Sequence, residues 1–295
     1  MRETLDDYRR TPFVGKKPTA LKRALHNRYT YAIEDFVVQF LRPMPSRTVN
    51  EVEIRALGMR RSGNHAILTW IMRSANACMP EADNIFLNNC KTIENAYRLQ
   101  SDFRPPEYTD EEYQRIKARR NRSYLPTGLL LRSFEDYDTR AFLCVENRAF
   151  YGKSKNQIDL AIIRDPLNLF ASRLKVGYID SKSRLSLIDL YLDNVSVLEE
   201  NSEILPVLYN QWLISKDYRM EALMKLSLSG IDIEDNRPAS FGPGSSFDGR
   251  DSKLEKKALL KRWEYFCRDG WFKREILGNS TLMTITEKYF SEVLG

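Results

Sequence analysis

The sequence predicts an α/β fold in three layers, in which helices flank a central, mostly parallel sheet. Residues 52–56 alternate between apolar and polar side chains like a strand, and a glycine-containing loop and a helix-like pattern follow them. Residues 158–163 are almost continuously apolar, as in a buried central strand, and a proline and a second helix-like pattern follow. A chain of 295 residues, 42% of them hydrophobic, can bury one large core of this kind.

The beginning of the chain differs from this pattern. Residues 1–27 are basic and irregular, and residues 29–41 carry apolar side chains at helical spacing. We therefore expect residues 1–50 to form a basic arm and a helix packed on the core, and residues 51–295 to form the α/β domain.

The first predicted strand leads into a loop with the glycine spacing of a phosphate-binding loop, Gly58-Met59-Arg60-Arg61-Ser62-Gly63-Asn64-His65. A strand, a glycine loop and a helix direct backbone N–H groups and the positive end of a helix towards an anion. A nucleoside-triphosphate enzyme carries Lys and then Ser or Thr after the second glycine, for the phosphates and Mg²⁺. Asn64 and His65 stand there instead. In a P-loop-like fold, this loop is expected to bind a phosphate-like anion without a metal. The alternative is that residues 58–65 form an ordinary turn between a strand and a helix, with no ligand.

Further elements are predicted downstream. Residues 129–134 and 142–145 have the composition of strands, and Glu135 follows the first of them. Residues 183–226 and 252–267 are expected to be mainly helical.

The strand at residues 158–163 ends in a basic residue. Arg164 stands at its carboxyl end, where open α/β sheets bind their ligands. Pro166 favours the start of a helix that would carry Ser172 in its second turn. Taken alone, this segment is better explained by a surface ion pair between Arg164 and Asp165 and by helix packing of Ser172.

Together, the two loop segments resemble the PAPS-dependent sulfotransferases, which use 3′-phosphoadenosine 5′-phosphosulfate as donor. That family has a phosphosulfate loop with a basic residue, Ser, Gly and polar residues that open a helix. It also has a 3′-phosphate motif of Arg followed by Ser eight positions later, the spacing of Arg164 and Ser172. The present loop looks like a bacterial branch of the family. The resemblance implies a nucleotide-binding set of Arg60, Arg61, Ser62, Gly63, Asn64, His65, Arg164 and Ser172.

A later loop extends the resemblance. Sulfotransferases close the nucleotide site with a basic, glycine-containing loop, and residues 241–250 have this character without the Arg-Lys-Gly of the animal enzymes. Ser245, Ser246 and Arg250 are expected to bind the 3′-phosphate through hydroxyl and guanidinium groups. Phe247 is expected to border the nucleotide; it, Trp70 or Tyr209 would stack on the adenine. A flexible surface turn explains this segment equally well.

Sulfuryl transfer also needs a base for the proton of the acceptor. The animal enzymes use a downstream histidine, whereas the histidines of this chain are His26 and His65. His65 is one candidate, because the amino end of a helix favours a neutral imidazole that can accept a proton. A carboxylate is the other candidate, since Glu135 and Asp136 follow the strand at residues 129–134 and Glu146 follows the next predicted strand. Glu135 is placed slightly ahead of His65. Arg61 is expected to stabilise the charge that develops on the leaving oxygen.

Composition narrows the partners. The net charge of +6 suits a bis-phosphorylated nucleotide, and no nucleic-acid-binding motif accompanies the basic clusters, so no nucleic-acid partner is expected. Two histidines and four cysteines without zinc spacing predict no metal site. No stretch is long enough to span a membrane and no signal peptide opens the chain, which favours a cytoplasmic enzyme without a membrane partner. The oligomeric state stays open.

The acceptor is expected to be a small molecule with a hydroxyl or an amine. Residues 107–113 and 178–203 are acidic and aromatic, and a pocket that they border would suit a cation. A cationic product of secondary metabolism, such as a guanidinium alkaloid of the saxitoxin type, is the expectation. Two alternatives stay open: a P-loop kinase that depends on Mg²⁺-ATP, and a nucleotide-binding module without catalytic activity.

Overall fold

A parallel sheet forms the centre of the protein in a computed structural model. The structure describes residues 48–78, 85–90, 111, 127–143, 153–179, 184–200, 203–228, 232 and 256–294. Five strands lie within these residues: β1 Thr48–Gly58, β2 Ile85–Cys90, β3 Thr127–Glu135, β4 Lys153–Ile163 and β5 Ile204–Leu208. Their order is β2-β3-β1-β4-β5, and each neighbouring pair is parallel. The predicted α/β fold with a parallel central sheet is confirmed.

Helices cover both faces of this sheet. The α-helices are α1 Asn64–Cys78, α2 Thr139–Leu143, α3 Pro166–Lys175, α4 Arg184–Ser196, α5 Tyr209–Ile214, α6 Lys216–Lys225, α7 Lys256–Leu259 and α8 Ser280–Tyr289. Two 3₁₀ helices and a π-helix also lie in the C-terminal region: Arg262–Phe266, Ser291–Val293 and Phe272–Leu277. Helices α1 and α6 pack on one face, and α3, α4 and α8 pack on the other, which gives three layers.

The alternation of side chains along β1 produces the two faces. Val52, Ile54 and Ala56 are buried in the same cluster as Ile67 of α1. Leu57 lies in the opposite cluster, with the apolar residues of α3 and α4. Successive side chains of a strand point to opposite faces, so the same central strands contribute to both halves of the core.

Helix α3 begins where the sequence predicts it. Pro166 is its first residue, and its fixed φ suits that position. The carboxylate of Asp165 caps the helix by accepting the backbone N–H of Asn168 at 2.7 Å. The cap fixes the first turn of α3 and thereby the direction in which this helix, which carries Ser172, leaves the sheet.

The predicted strand at residues 142–145 is wrong. Its first half belongs to the short helix α2, and its second half lies outside the described residues. The carboxylate of Asp138 accepts the backbone N–H of Ala141 at 2.6 Å, which favours a helical turn. Phe142 is buried by this turn, with its ring edge-on to Phe134 at a centroid distance of 5.3 Å. Burial of one aromatic side chain therefore explains the apolar composition without a strand.

Residues 183–226 contain a strand as well as the predicted helices. Strand β5 brings Ile204 and Val207 into the core, and Pro206 lies within it. A proline is tolerated there because β5 is an edge of the described sheet and pairs with β4 on one side. Helices α4, α5 and α6 occupy most of the remainder, as expected.

Some predicted features lie outside the described residues. They include residues 1–47 of the N-terminal unit and the later loop with Ser245, Ser246, Phe247 and Arg250. In the described ranges, no helix combines the length and the apolar character needed to cross a membrane.

Candidate active site

The predicted site residues lie at the carboxyl ends of three adjacent strands. Gly58 ends β1 and is paired in register with Glu135, which ends β3. Arg164 follows β4 on the other side of β1. Because α1 leaves β1 towards one face and α3 leaves β4 towards the opposite face, a crevice opens between these two strands. This is the place where doubly wound sheets bind ligands.

The loop after β1 is held in a tight conformation. The Ser62 N–H donates to the carbonyl oxygen of Met59 at 3.0 Å, and Arg61 has a positive φ of 76°. Gly63 also has a positive φ, 94°, and a Cβ atom there would overlap the ring of Tyr209. Position 63 therefore requires glycine for two reasons: its backbone has a positive φ, and the Tyr209 ring leaves no space for a side chain.

The two predicted motifs are in direct contact. Arg61 Nε donates to Ser172 Oγ at 3.1 Å, although 111 residues separate them in the chain. Arg164 Nη1 donates to the carbonyl oxygen of Arg61 at 3.0 Å. The loop after β1 and the segment after β4 thus form one site and not two.

The site concentrates positive charge. Burial, and then the neighbouring charges of Arg164 and Arg173, lower the pKa of Arg61. An arginine keeps its proton under such conditions, so the cost of burying these charges together persists until an anion arrives. Arg164 Nε is buried and, among the described residues, has no hydrogen-bond partner. The face of the Tyr209 ring lies 4.9 Å from the Arg164 guanidinium and holds it from one side.

Asp136 and Arg173 hold the backbone of the loop, a role that the sequence did not predict for either residue. The Asp136 carboxylate accepts the N–H of Arg60 at 2.9 Å. Arg173 Nε donates to the carbonyl oxygen of Arg60 at 3.0 Å, and Arg173 Nη2 pairs with the same Asp136 carboxylate. Asp136 has a left-handed φ of 59°, which no local sequence signal predicts for it. Proximity to the end of β3 was the one available indication.

Glu135 and His65 lie next to each other beside the loop. His65 Nε2 is 3.7 Å from Glu135 Oε1, and Arg60 Nε is 3.8 Å from Glu135 Oε2. Asn64 Nδ2 donates to Glu135 Oε1 at 3.4 Å. The Glu135 side chain is only 8% exposed, whereas that of His65 is 36% exposed. His65 is thus the member of the pair that a bound acceptor can reach.

The candidates for adenine stacking differ in their availability. Trp70 is buried, donates its indole N–H to Asp232 Oδ1 at 2.8 Å, and packs edge-on against Trp212. Its role is to pack α1 against α5. Tyr209 is half-buried at the site itself, and Phe247 lies outside the described residues.

Only some of the residues expected to line the acceptor pocket lie at the site. Tyr178 is half-buried and close enough to Arg61 to affect its pKa. Asp193 instead serves the fold, because its carboxylate accepts the backbone N–H of Thr139 at 2.6 Å at the start of α2. Residues 107–110, 112–113 and 180–183 lie outside the described part.

Comparison with known proteins assigns no function to this site. No family model matches the chain, and no curated protein sequence matches it either. Within the described ranges, no group of three or more His, Cys, Asp or Glu side chains could hold a metal ion. The site combines several arginines, backbone N–H groups at a helix start and a histidine–carboxylate pair, a set suited to binding anions and moving a proton.

Proposed function

We propose that this chain transfers a sulfuryl group from PAPS to a hydroxyl or an amine of a small-molecule acceptor. The observation that carries the proposal is the contact between the loop after β1 and the segment after β4, through Arg61, Ser172 and Arg164. These residues match the phosphosulfate and 3′-phosphate motifs of the sulfotransferases. A nucleotide with anionic groups on both sides of one ribose needs two anion-binding segments close together, and this contact supports such an arrangement.

The chemistry of the residues fits such a donor. Arg164 Nε is a buried donor without a partner among the described residues, and a 3′-phosphate would satisfy it. The N–H groups at the start of α1, together with Arg61, suit the phosphosulfate. His65 stands where a kinase loop has the hydroxyl residue that binds Mg²⁺, and the Ser62 hydroxyl donates to Asn64 Oδ1 at 2.6 Å within the loop.

The proposed reaction is an in-line displacement at sulfur. A bond forms from the acceptor oxygen or nitrogen to sulfur, while the bond from sulfur to the 5′-phosphate oxygen breaks. PAP leaves with that electron pair, and Arg61 and the loop N–H groups stabilise the charge that grows on the leaving oxygen. The proton of the acceptor passes to a base of the protein.

We assign this proton to His65, with Glu135 as the group that orients it and stabilises the imidazolium. The burial of Glu135 supports this order, which reverses the ranking expected from the sequence. The value of kcat/KM should then rise with pH as His65 becomes neutral. In His65→Gln this limb should disappear, and in Glu135→Gln it should move to lower pH, because a carboxylate favours the protonated ring. A limb unchanged in His65→Gln, with PAP binding intact, would remove His65 from the mechanism.

For the acceptor we propose a small cationic natural product, such as a guanidinium alkaloid of the saxitoxin type. The support is the half-buried aromatic ring of Tyr178, which is close enough to Arg61 to affect its pKa. Turnover of matched cationic, neutral phenolic and anionic acceptors tests it. A preference for anionic or plain phenolic acceptors would reject a cationic acceptor and leave the donor assignment intact.

Binding of the product nucleotide is the first test. In a thermal-shift titration, PAP at about a hundred times its Kd should add roughly 2.7 kcal/mol to stability, with or without a chelator. Arg164→Ala should raise the Kd roughly 10- to 150-fold, because hydrogen bonds to charged groups contribute about 1.5–3 kcal/mol. The exposed Arg268 provides the matched control, since Arg268→Ala removes a charge outside the site.

Other outcomes of the same titration identify the rivals. Stabilisation by Mg²⁺-ATP alone would reject the 3′-phosphate assignment and favour the kinase. Stabilisation by PAP without transfer from PAPS to any acceptor would favour a nucleotide-binding module.

A further inference from the structure

An ion pair between Asp136 and Arg173 encloses part of the backbone of the loop after β1. Asp136 Oδ1 accepts the N–H of Arg60 at 2.9 Å, and Arg173 Nε donates to the carbonyl oxygen of Arg60 at 3.0 Å. Arg173 Nη2 donates to the same oxygen of Asp136. These contacts form a closed ring, so the backbone of Arg60 is held on both sides of its Cα atom by groups from the end of β3 and from α3.

Arg173 has the charge of an anion ligand, but its donors are already in use. Its side chain is only 2% exposed, and its Nε and Nη2 atoms bind the loop and Asp136. Arg164 differs, because its Nε atom is a buried donor without a hydrogen-bond partner among the described residues. An anion at this site would therefore bind Arg164, and Arg173 would affect the anion only through the loop.

The arginines of the β4–α3 segment set the direction of two carbonyl groups of the loop. The carbonyl oxygen of Arg60 accepts from Arg173, and that of Arg61 accepts from Arg164 Nη1 at 3.0 Å. Arg61 and Gly63 both have a left-handed φ, of 76° and 94°. Left-handed residues in a turn let neighbouring N–H groups face a common anion. Carbonyl oxygens that are bound on the side of α3 cannot turn into that space, where they would repel the anion.

We propose that Asp136 and Arg173 are positioning residues of the anion site. They hold the backbone of Arg60, and through it the loop, in the conformation that binds an anion, and they touch neither the anion nor the acceptor. The inference rests on the loop as the anion site of the proposed function, and not on the identity of the donor. Charge alone predicts the opposite effect, because removing the negative charge of Asp136 from a cationic site would strengthen anion binding. Positioning predicts that its removal weakens anion binding.

The first test compares two variants of Asp136 that both tolerate its left-handed φ of 59°. Asp136→Asn retains an oxygen that can accept the Arg60 N–H, whereas Asp136→Gly retains none. The Kd for sulfate, measured by calorimetry against sodium chloride at equal ionic strength, should rise about tenfold or more in Asp136→Gly. Asp136→Asn should lie between this variant and the wild type. Binding that is unchanged or tighter in Asp136→Gly, or no sulfate binding by the wild type, would overturn the positioning role.

Variants of Arg173 test the other half of the ion pair. Arg173→Met removes every donor and should raise the Kd for sulfate about tenfold, whereas Arg173→Lys keeps a charged donor and should recover part of the loss. Asp138 and Lys175 are the matched controls, since each is exposed and lies two residues further along the same segment. Asp138→Asn and Lys175→Met should stay within about twofold of the wild type. If Arg173→Met does not fold, Arg173→Lys and Asp136→Gly still test the proposal, and equal sulfate affinity in these two variants and the wild type would overturn it.

Hydrogen exchange at the Arg60 amide reports on the same contact without a ligand. The Arg60 N–H lies outside every strand and helix and is bound by Asp136, so the wild type should protect it. In Asp136→Gly this amide should exchange about tenfold faster or more, while the amides of β1 keep their protection. Equal exchange in the two proteins would show that Asp136 does not hold the loop.

PAP separates this inference from the proposed function. Sulfate binding that weakens in Asp136→Gly, without PAP binding to the wild type, would reject the donor and retain the positioning role. PAP binding with the same Kd in wild type and Asp136→Gly would retain the donor and reject the positioning role.

Discussion

At the scale of single residues, local spacing predicts the positions of Arg61, Arg164 and Ser172. Each stands at a fixed distance from a glycine or a strand end, so the sequence places it at the carboxyl edge of the sheet. The pairing of Arg173 with Asp136 could not be predicted in this way. It joins residues 37 apart and requires a left-handed backbone at Asp136, which only the assembled loop supports.

Substitutions at three glycines can separate backbone strain from steric overlap at Gly63. Gly63 has a positive φ and no space for a Cβ atom, Gly177 has a positive φ of 74° with open space, and Gly270 has open space and no positive φ. By urea unfolding, Gly177→Ala should cost about 1–2 kcal/mol from backbone strain alone. Gly270→Ala should be within about 0.5 kcal/mol of wild type.

Gly63→Ala should cost more than Gly177→Ala, because its methyl group also displaces the Tyr209 ring and with it the support of Arg164. Adding Tyr209→Ala should recover the steric part and leave the backbone part. If Gly63→Ala costs no more than Gly177→Ala, the contact with Tyr209 does not constrain the loop.

At the scale of helices and strands, an element can be predicted when the residues that determine it lie close together in the sequence. Helix α3 was predictable because Asp165, Pro166 and Asn168 carry both the cap and the first turn within four residues. Helix α2 and strand β5 were not. An apolar run such as that around Phe142 fits a strand or a buried turn equally well, and only the partner Phe134 decides. Strand β5 is short and contains Pro206, which is acceptable only at an edge.

At the scale of the whole molecule, the site exists because β1 lies between β3 and β4. The sequence predicts the strands but not this order, which depends on pairings between distant segments. Polar side chains within the sheet join the three strands. Arg132 Nη1 of β3 donates to Glu53 Oε1 of β1 at 2.9 Å, and Ser154 Oγ of β4 donates to Glu53 Oε2 at 2.6 Å. Glu53 and Arg132 are almost completely buried, and a misplaced neighbour would leave one charge without compensation.

This buried pair should therefore be strongly coupled in a double-mutant cycle measured by urea unfolding. Glu53→Leu and Arg132→Met should each cost about 3–5 kcal/mol, because each leaves an uncompensated buried charge, whereas the double variant should cost less than either. Lys155 and Glu51 provide the matched control, since they pair at 3.4 Å across β4 and β1 but are mostly exposed. Their single variants should cost less than about 1 kcal/mol and add. If the costs at Glu53 and Arg132 are simply additive, the pair does not specify which strands lie beside β1, and apolar packing alone determines the strand order that creates the site.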